Sequence, residues 1–419
     1  MKSNRNLRLL VYIGCCVILH FSGVSQNTNQ QKYLEKTGIL DSLYSELLSE
    51  YRKIYIQFPA DYNPKANKKY PVVYILDGEV LLPTVKNFQN FYSGGFTPEM
   101  ILVGISNAMH RTRDLTTSEI TEKYGNSFPE ENGQAENFTA FLEEELFTFI
   151  DQKYPVTTYR TLIGHSYGGL FTLNTLVKHP DLFTNYLAID PSLDWDAQKL
   201  LKESKVKLAQ NNYAGKNLFM SLNGQLDMQN PNINLENVMQ DTTNFTVFAR
   251  SNIEFSNLLK ENAANGLTYH WKFYPRDIHG TVAFPSIMDG LIALFDWFQM
   301  ENTAKFNSPD TSVEELSNII NHRAKKLENH FGYQVPPYPE ELLNALGYMS
   351  LDMEQLIKSK MFFEFGIEFF PDSPNVYDSI SEFYERTGDD ENAIQFAEKA
   401  NSLSNDDYFK ERLQKLKQQ

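Results

Sequence analysis

Apolar and polar residues change rhythm several times along this chain, and each change marks a different kind of element. Arg52-Lys53-Ile54-Tyr55-Ile56-Gln57 alternates with period two, the spacing of a strand with one buried face. Val72-Val73-Tyr74-Ile75-Leu76 and Ile101-Leu102-Val103-Gly104-Ile105 are short unbroken apolar runs, as in central strands covered on both sides. Residues 159–163, 186–189, 218–222 and 268–274 continue the series. Between 136 and 154, Phe138, Phe141, Leu142, Leu146, Phe149 and Ile150 recur at helical spacing opposite Glu143, Glu144 and Glu145. Leu170, Leu173, Leu176 and Val177 do the same until Pro180 stops them. A helix ending in residues 291–298 closes the alternation near residue 300. Alternating β and α segments predict an α/β domain built on a mostly parallel, doubly wound sheet. Beyond residue 305 the pattern is wholly helical.

With 419 residues the chain exceeds what one core usually holds, so two domains are expected, over 31–302 and 310–419. A formal charge of −15 argues against nucleic acid or an anionic membrane surface as partner.

The N-terminus reads as an export address. Lys2, Arg5 and Arg8 precede the apolar run 9–19, and small residues follow at Ser22, Gly23 and Ser25. This is the layout of a secretory signal peptide over residues 1–25, too short to span a membrane comfortably. Cleavage there would remove both cysteines, Cys15 and Cys16, leaving no disulfide, Cys nucleophile or Cys-ligated metal. It would also remove three cations and no acid, moving the charge from −15 to −18. Export without disulfides fits a bacterial periplasm or cell surface.

The candidate chemistry sits at Gly164-His165-Ser166-Tyr167-Gly168-Gly169, between a strand-like run and an amphipathic helix. A G-x-S-x-G on such a strand-to-helix turn is the nucleophile elbow of the α/β-hydrolase fold. Side chains at its glycines are expected to clash in the tight turn that pushes the Ser hydroxyl outward.

Further segments resemble the putative esterase family of α/β-hydrolases, which includes esterase D and the enterochelin esterases. They are Phe58-Pro59-Ala60-Asp61-Tyr62, residues 70–78, Ile101-Leu102-Val103-Gly104-Ile105-Ser106-Asn107, Arg111-Thr112-Arg113-Asp114-Leu115-Thr116, and His279-Gly280. The resemblance covers roughly residues 40 to 300 and implies a serine hydrolase of carboxylic esters.

In this fold the chain order is Ser, acid, His. Of eight histidines, His279 lies in the loop after the last strand, where a general base for Ser166 belongs. His270 falls inside a strand, and His322 and His330 lie on C-terminal helices. For the acid, Asp227 occupies the slot after strand 218–222, where the family often carries a glutamate. Asp190, Asp194 and Glu254 are also candidates for the acid, and a Ser-His dyad is open as well. The oxyanion hole is expected from the backbone amides of Tyr167 and of Gly78 or Glu79.

Arg111 and Arg113 follow strand 101–105, at the ligand-binding edge of such sheets. They are candidates to grip an acidic or catechol-like group, or Arg113 to pair with Asp114. Trp195 is a candidate pocket wall. No metal or organic cofactor is implied. Two other functions use the same residues: a thioesterase or acyltransferase, and a non-catalytic binding module on the same scaffold.

In the helical region a 34-residue period starts repeats at Glu340 and Pro374. It sets Gly347 with Ser381, Ser359 with Ala393, and Gly366 with Ala400. Tyr384-Glu385-Arg386-Thr387-Gly388-Asp389 resembles the tetratricopeptide repeat. Two copies rarely stand alone, so the segment is expected to dock on the α/β domain with the help of helix 312–330. A packing appendage and a partner-binding surface are equally open.

Overall fold

The unbroken apolar runs of the chain become the middle of one eight-stranded sheet. The computed structural model describes residues 38–418 apart from 61 and 65–67, so the segment expected to be an export signal lies outside the described residues. The strands are β1 (Ile39–Ser45), β2 (Glu50–Gln57), β3 (Tyr70–Ile75), β4 (Ile101–Ile105), β5 (Val156–His165), β6 (Asn185–Ile189), β7 (Asn217–Asn223) and β8 (Thr268–Tyr274). Their order across the sheet is β1-β2-β4-β3-β5-β6-β7-β8. β2 runs antiparallel to β4, and β3 through β8 pair in parallel. All five residues of β4 and β6 are buried, as both-face coverage requires.

Successive residues point to opposite faces, and the two faces build two cores. On one side Val72, Tyr74, Ile101 and Val103 pack with Phe138, Phe141, Phe171 and Leu200. On the other, Val73, Ile75, Leu102 and Ile163 pack with Val85, Phe88, Ile287 and Leu291. This is the α/β-hydrolase architecture, with an all-helical region after it. The stripe expected as one helix over 136–154 is continuous but changes pitch, from α over Ala135–Ala140 to π over Phe141–Leu146 and back to α over Phe147–Lys153.

Two elements carry no clear apolar signature. β1 is mostly exposed along its length. A small hairpin, Glu122–Lys123 with Asn126–Ser127, stands apart from the sheet.

Described residues from Leu40 onward form one compact unit. Helix Val313–Phe331 delivers Leu327 and Phe331 into the second core, where Phe331 lies 5.0 Å from the ring of Tyr159 and 5.1 Å from Trp297. Buried Arg323 donates to the carbonyls of Phe298, Gln299 and Pro337 at 2.7–2.9 Å. Two helical hairpins follow. They start at Glu340 and Pro374, and their second helices start at Leu356 and Asp390, so both intervals are 34 residues. Among the described residues no helix is long and apolar enough to cross a membrane.

Candidate active site

Between β5 and helix Tyr167–Lys178 the chain turns on one residue. Ser166 sits at φ 62° and ψ −115°, a conformation that side-chain-bearing residues hold only when their surroundings impose it. Backbone bonds impose it here: Ser166 N–H donates to the Ile189 carbonyl at 3.0 Å, and the Ser166 carbonyl accepts from Ser192 N–H at 3.1 Å. The glycines differ in what they permit. A Cβ at Gly164 would lie 2.2 Å from the Gly168 carbonyl oxygen, and one at Gly169 would lie 2.9 Å from that of Ile189. At Gly168 the nearest atoms are 3.6–3.7 Å away, ordinary contact. The clash expected at both motif glycines therefore holds for Gly164 and not for Gly168. Gly169 is the second tight position.

The loop after β8 brings His279 to this turn. Its Nε2 lies 3.0 Å from Ser166 Oγ, and its Nδ1 lies 2.6 Å from Asp190 Oδ2. A carboxylate oxygen accepts, so Nδ1 carries the proton and Nε2 is free to accept from the Ser hydroxyl. Phe248 stands edge-on to the imidazole at 5.5 Å.

The carboxylate at His279 is that of Asp190, not Asp227. Asp190 directly follows β6 at φ 45°, and this left-handed turn aims its side chain across the end of β7. There Oδ1 accepts from Asn223 N–H at 3.0 Å and Oδ2 from Asn223 Nδ2 at 2.6 Å. With His279, three hydrogen bonds compensate a carboxylate that is 0% exposed. Asp227 spends its carboxylate locally, accepting from the backbone amides of Gln229 and Asn230 at 2.6 and 2.8 Å. Asp194 and Glu254 are engaged elsewhere, Asp194 with Lys123 and Tyr124, Glu254 with Lys205.

The amide of Tyr167 opens the helix after Ser166, and those of Gly78 and Glu79 open helix Gly78–Tyr92. Amides in a first turn lack intrahelical acceptors. Gly78 is held by close packing, since a Cβ there would lie 2.5 Å from the Gly104 backbone. Asp77, at φ 50°, precedes it and receives a two-pronged bond from Arg111 at 2.9 and 3.0 Å. Arg111 also donates to the His165 carbonyl at 3.1 Å, tying the two helix starts together.

Two of the three expected pocket residues, Arg113 and Trp195, are not available to a ligand. Arg113 is buried, with its guanidinium shared between Asp114 at 2.8 Å and Glu50 at 2.9 Å. Trp195 is 1% exposed, donates Nε1–H to the Ser118 carbonyl at 2.9 Å and packs edge-on against Tyr167 and Phe128. His165, Asp190 and His279 also have the composition of a metal site. Their ring nitrogens instead meet acceptors directly: His279 Nδ1 is on Asp190, and His165 Nε2 is 3.0 Å from the His279 carbonyl.

The order of the sheet and a strained serine at the tip of its fifth strand define an α/β-hydrolase. Residues 45–285 match the family model described as putative esterase, and the chain belongs to that family. Ferri-bacillibactin esterase BesA of Bacillus subtilis is 34% identical over 194 residues, 42% of this chain and 65% of that one. The match thus spans less than two thirds of this curated relative. Among solved structures, an IroE-like serine hydrolase from Shewanella oneidensis superposes with a TM-score of 0.63 at 27% identity, covering 79% of this chain and 99% of that one. An uncharacterised protein from Capnocytophaga ochracea, at 20% identity and a TM-score of 0.54, shares the fold over 91% of this chain and 99% of its own. Coverage that wide takes in helices of the C-terminal region.

Proposed function

We propose that this protein is an exported serine esterase that cleaves carboxylic esters through an acyl-enzyme on Ser166. The observation that carries the reading is the continuous line from Ser166 Oγ to His279 Nε2 at 3.0 Å and from His279 Nδ1 to Asp190 at 2.6 Å. Ser166 Oγ attacks the ester carbonyl carbon while its proton passes to His279 Nε2. The tetrahedral oxyanion is received by the amides of Tyr167 and of Gly78 or Glu79. The C–O bond then breaks, and the same proton goes to the leaving alkoxide. Water, deprotonated by His279, attacks the acyl carbon and releases the acid, returning a proton to Ser166. Asp190 keeps the imidazole in the required tautomer and offsets the positive charge it gains.

The family match and the relation to a ferri-bacillibactin esterase support siderophore-type esters as the substrate class. Export rests on the basic and apolar pattern of residues 1–25.

The test is covalent labelling by a fluorophosphonate together with hydrolysis of aryl and siderophore esters. Wild type should label on Ser166 and turn over, and Ser166→Ala should do neither while remaining folded. Labelling at another residue, or undiminished turnover by Ser166→Ala, would overturn the reading.

A further inference from the structure

His165 takes no part in the acyl-transfer steps, yet both its ring and its backbone are engaged. Its Nε2 lies 3.0 Å from the backbone carbonyl oxygen of His279. A carbonyl oxygen can only accept, so Nε2 carries the proton and donates. Burial first, then the neighbouring His279 and Arg111, hold the pKa of His165 down at about 4, with Asp190 pulling the other way. The neutral ring leans against that of His279, with centroids 4.6 Å apart and planes tilted by 36°. The backbone carbonyl of the same residue accepts from Arg111.

The base loop has other ties, but they fall on its neighbours. Asp277 is held through its amide to Tyr274 and its carbonyl from Gly224, and the Ile278 carbonyl accepts from Thr281 and Val282. The bond from His165 reaches the residue whose ring faces the serine. We propose that His165 is a positioning residue that anchors the main chain of His279 to the elbow strand. Nucleophile and base, 113 residues apart in sequence, then ride on one hydrogen-bonded unit. A shift of about 1 Å at a reacting group can lower the rate by about 100-fold, which sets the scale of what such an anchor protects.

This inference rests on the esterase reading, and two variants separate it from plain packing. His165→Gln keeps an N–H donor at the reach of Nε2, whereas His165→Leu fills the volume without one. His165→Leu should lower kcat by about 10- to 100-fold with little change in KM, and His165→Gln should recover to within a few-fold of wild type. A folded His165→Leu enzyme with wild-type kcat, or equal losses in both variants, would overturn the anchor. Nitrogen-15 NMR of the wild-type imidazoles supplies a measurement independent of folding variants and of any ester. It should show His165 neutral and protonated on Nε2 at pH 7; an Nδ1–H tautomer or an imidazolium there would refute the proposal. An intact Nε2–H bond in a chain that labels nowhere with fluorophosphonate would uphold the anchor and sink the esterase reading instead.

Discussion

Two regions of this molecule bring segments together over glycine, and they do so against different partners. At the elbow, a Cβ on Gly164 would meet the carbonyl oxygen and carbon of Gly168 at 2.2 and 2.3 Å, backbone against backbone. In the first helical hairpin, a Cβ on Gly347 would meet the ring of Phe363 at 2.5 Å. The first contact cannot relax without moving Ser166. The second ends on a side chain that can turn. In the next hairpin Ser381 occupies the position of Gly347 and uses its hydroxyl to reach the Ala393 carbonyl at 2.7 Å. Backbone contact narrows the elbow to a single geometry, and packing in the hairpins accepts both glycine and serine.

The sharpest way to break this contrast is to attack the elbow region without changing shape. Asp190→Asn preserves volume but lets the amide donate toward His279 Nδ1, favouring the wrong tautomer, and should lower kcat by about 10⁴-fold. Asp227→Asn should stay near wild type, because that carboxylate serves a surface turn. Steady-state kinetics on a soluble aryl ester decide it, and a large loss in the Asp227 variant would return the acid to that slot.

Stability measurements come next. Gly164→Ala should cost about 4 kcal/mol or more, because backbone has to yield. Gly347→Ala should cost about 1–2 kcal/mol, since Phe363 can shift and alanine favours the helix. Equal losses in urea unfolding would remove the distinction. Phe331→Ala, at the seam between helical region and sheet, should cost about 3–4 kcal/mol while leaving turnover per folded molecule unchanged, because no helical residue reaches Ser166 in the proposed scheme. Lost turnover in a folded Phe331 variant would show that the seam also shapes the site.

A smaller effect follows from His165. Its pKa is about 4 in the folded protein against an ordinary 6.5, so between these values the unfolded chain binds a proton that the native chain refuses. Stability is therefore lost as pH falls through that window, by up to about 2 kcal/mol at pH 5. His165→Gln should lack this part of the slope. Parallel unfolding curves at pH 7 and pH 5 for both proteins would refute it.

The elbow is legible in the sequence because its signal is local: glycines, a serine, an apolar run before and a helical rhythm after. His279 is legible from its place after the last strand, and β8 lies where the pattern puts it, over residues 268–274. The acid is not. Asp190, Asp194 and Asp227 all stand on loops at the same edge of the sheet, and which one faces the histidine is set by a left-handed turn at Asp190 and by Asn223 from the adjacent strand. An aspartate at the very end of a buried strand, level with an asparagine ending the next, is the signal that points to it. The pairing of Arg113 with Asp114, open in the sequence, is found. As pocket candidates, Arg113 and Trp195 mislead because their distant partners, Glu50 and Ser118, are 63 and 77 residues away, beyond any spacing rule. β1 escapes the pattern because its more covered face carries Asp41, Leu43 and Ser45 while Ile39, Leu40 and Tyr44 are exposed, so hydrophobicity does not alternate with burial.

The finest test lies inside the motif itself. Gly168 is the second glycine of G-x-S-x-G, yet a Cβ there would rest 3.6 Å from Leu76 and 3.7 Å from the Asp77 carboxylate. It sits in the first turn of helix Tyr167–Lys178, where alanine is favoured over glycine by up to about 1 kcal/mol in a helix interior and by less near an end. Gly168→Ala should therefore be neutral or stabilising by a few tenths of a kcal/mol, with kcat within a few-fold of wild type. A melting temperature several degrees lower would mean that the approach of Asp77 to this helix start is tighter than 3.7 Å allows. The constraint carried by Gly164 and Gly169 would then extend to all three glycines of the turn.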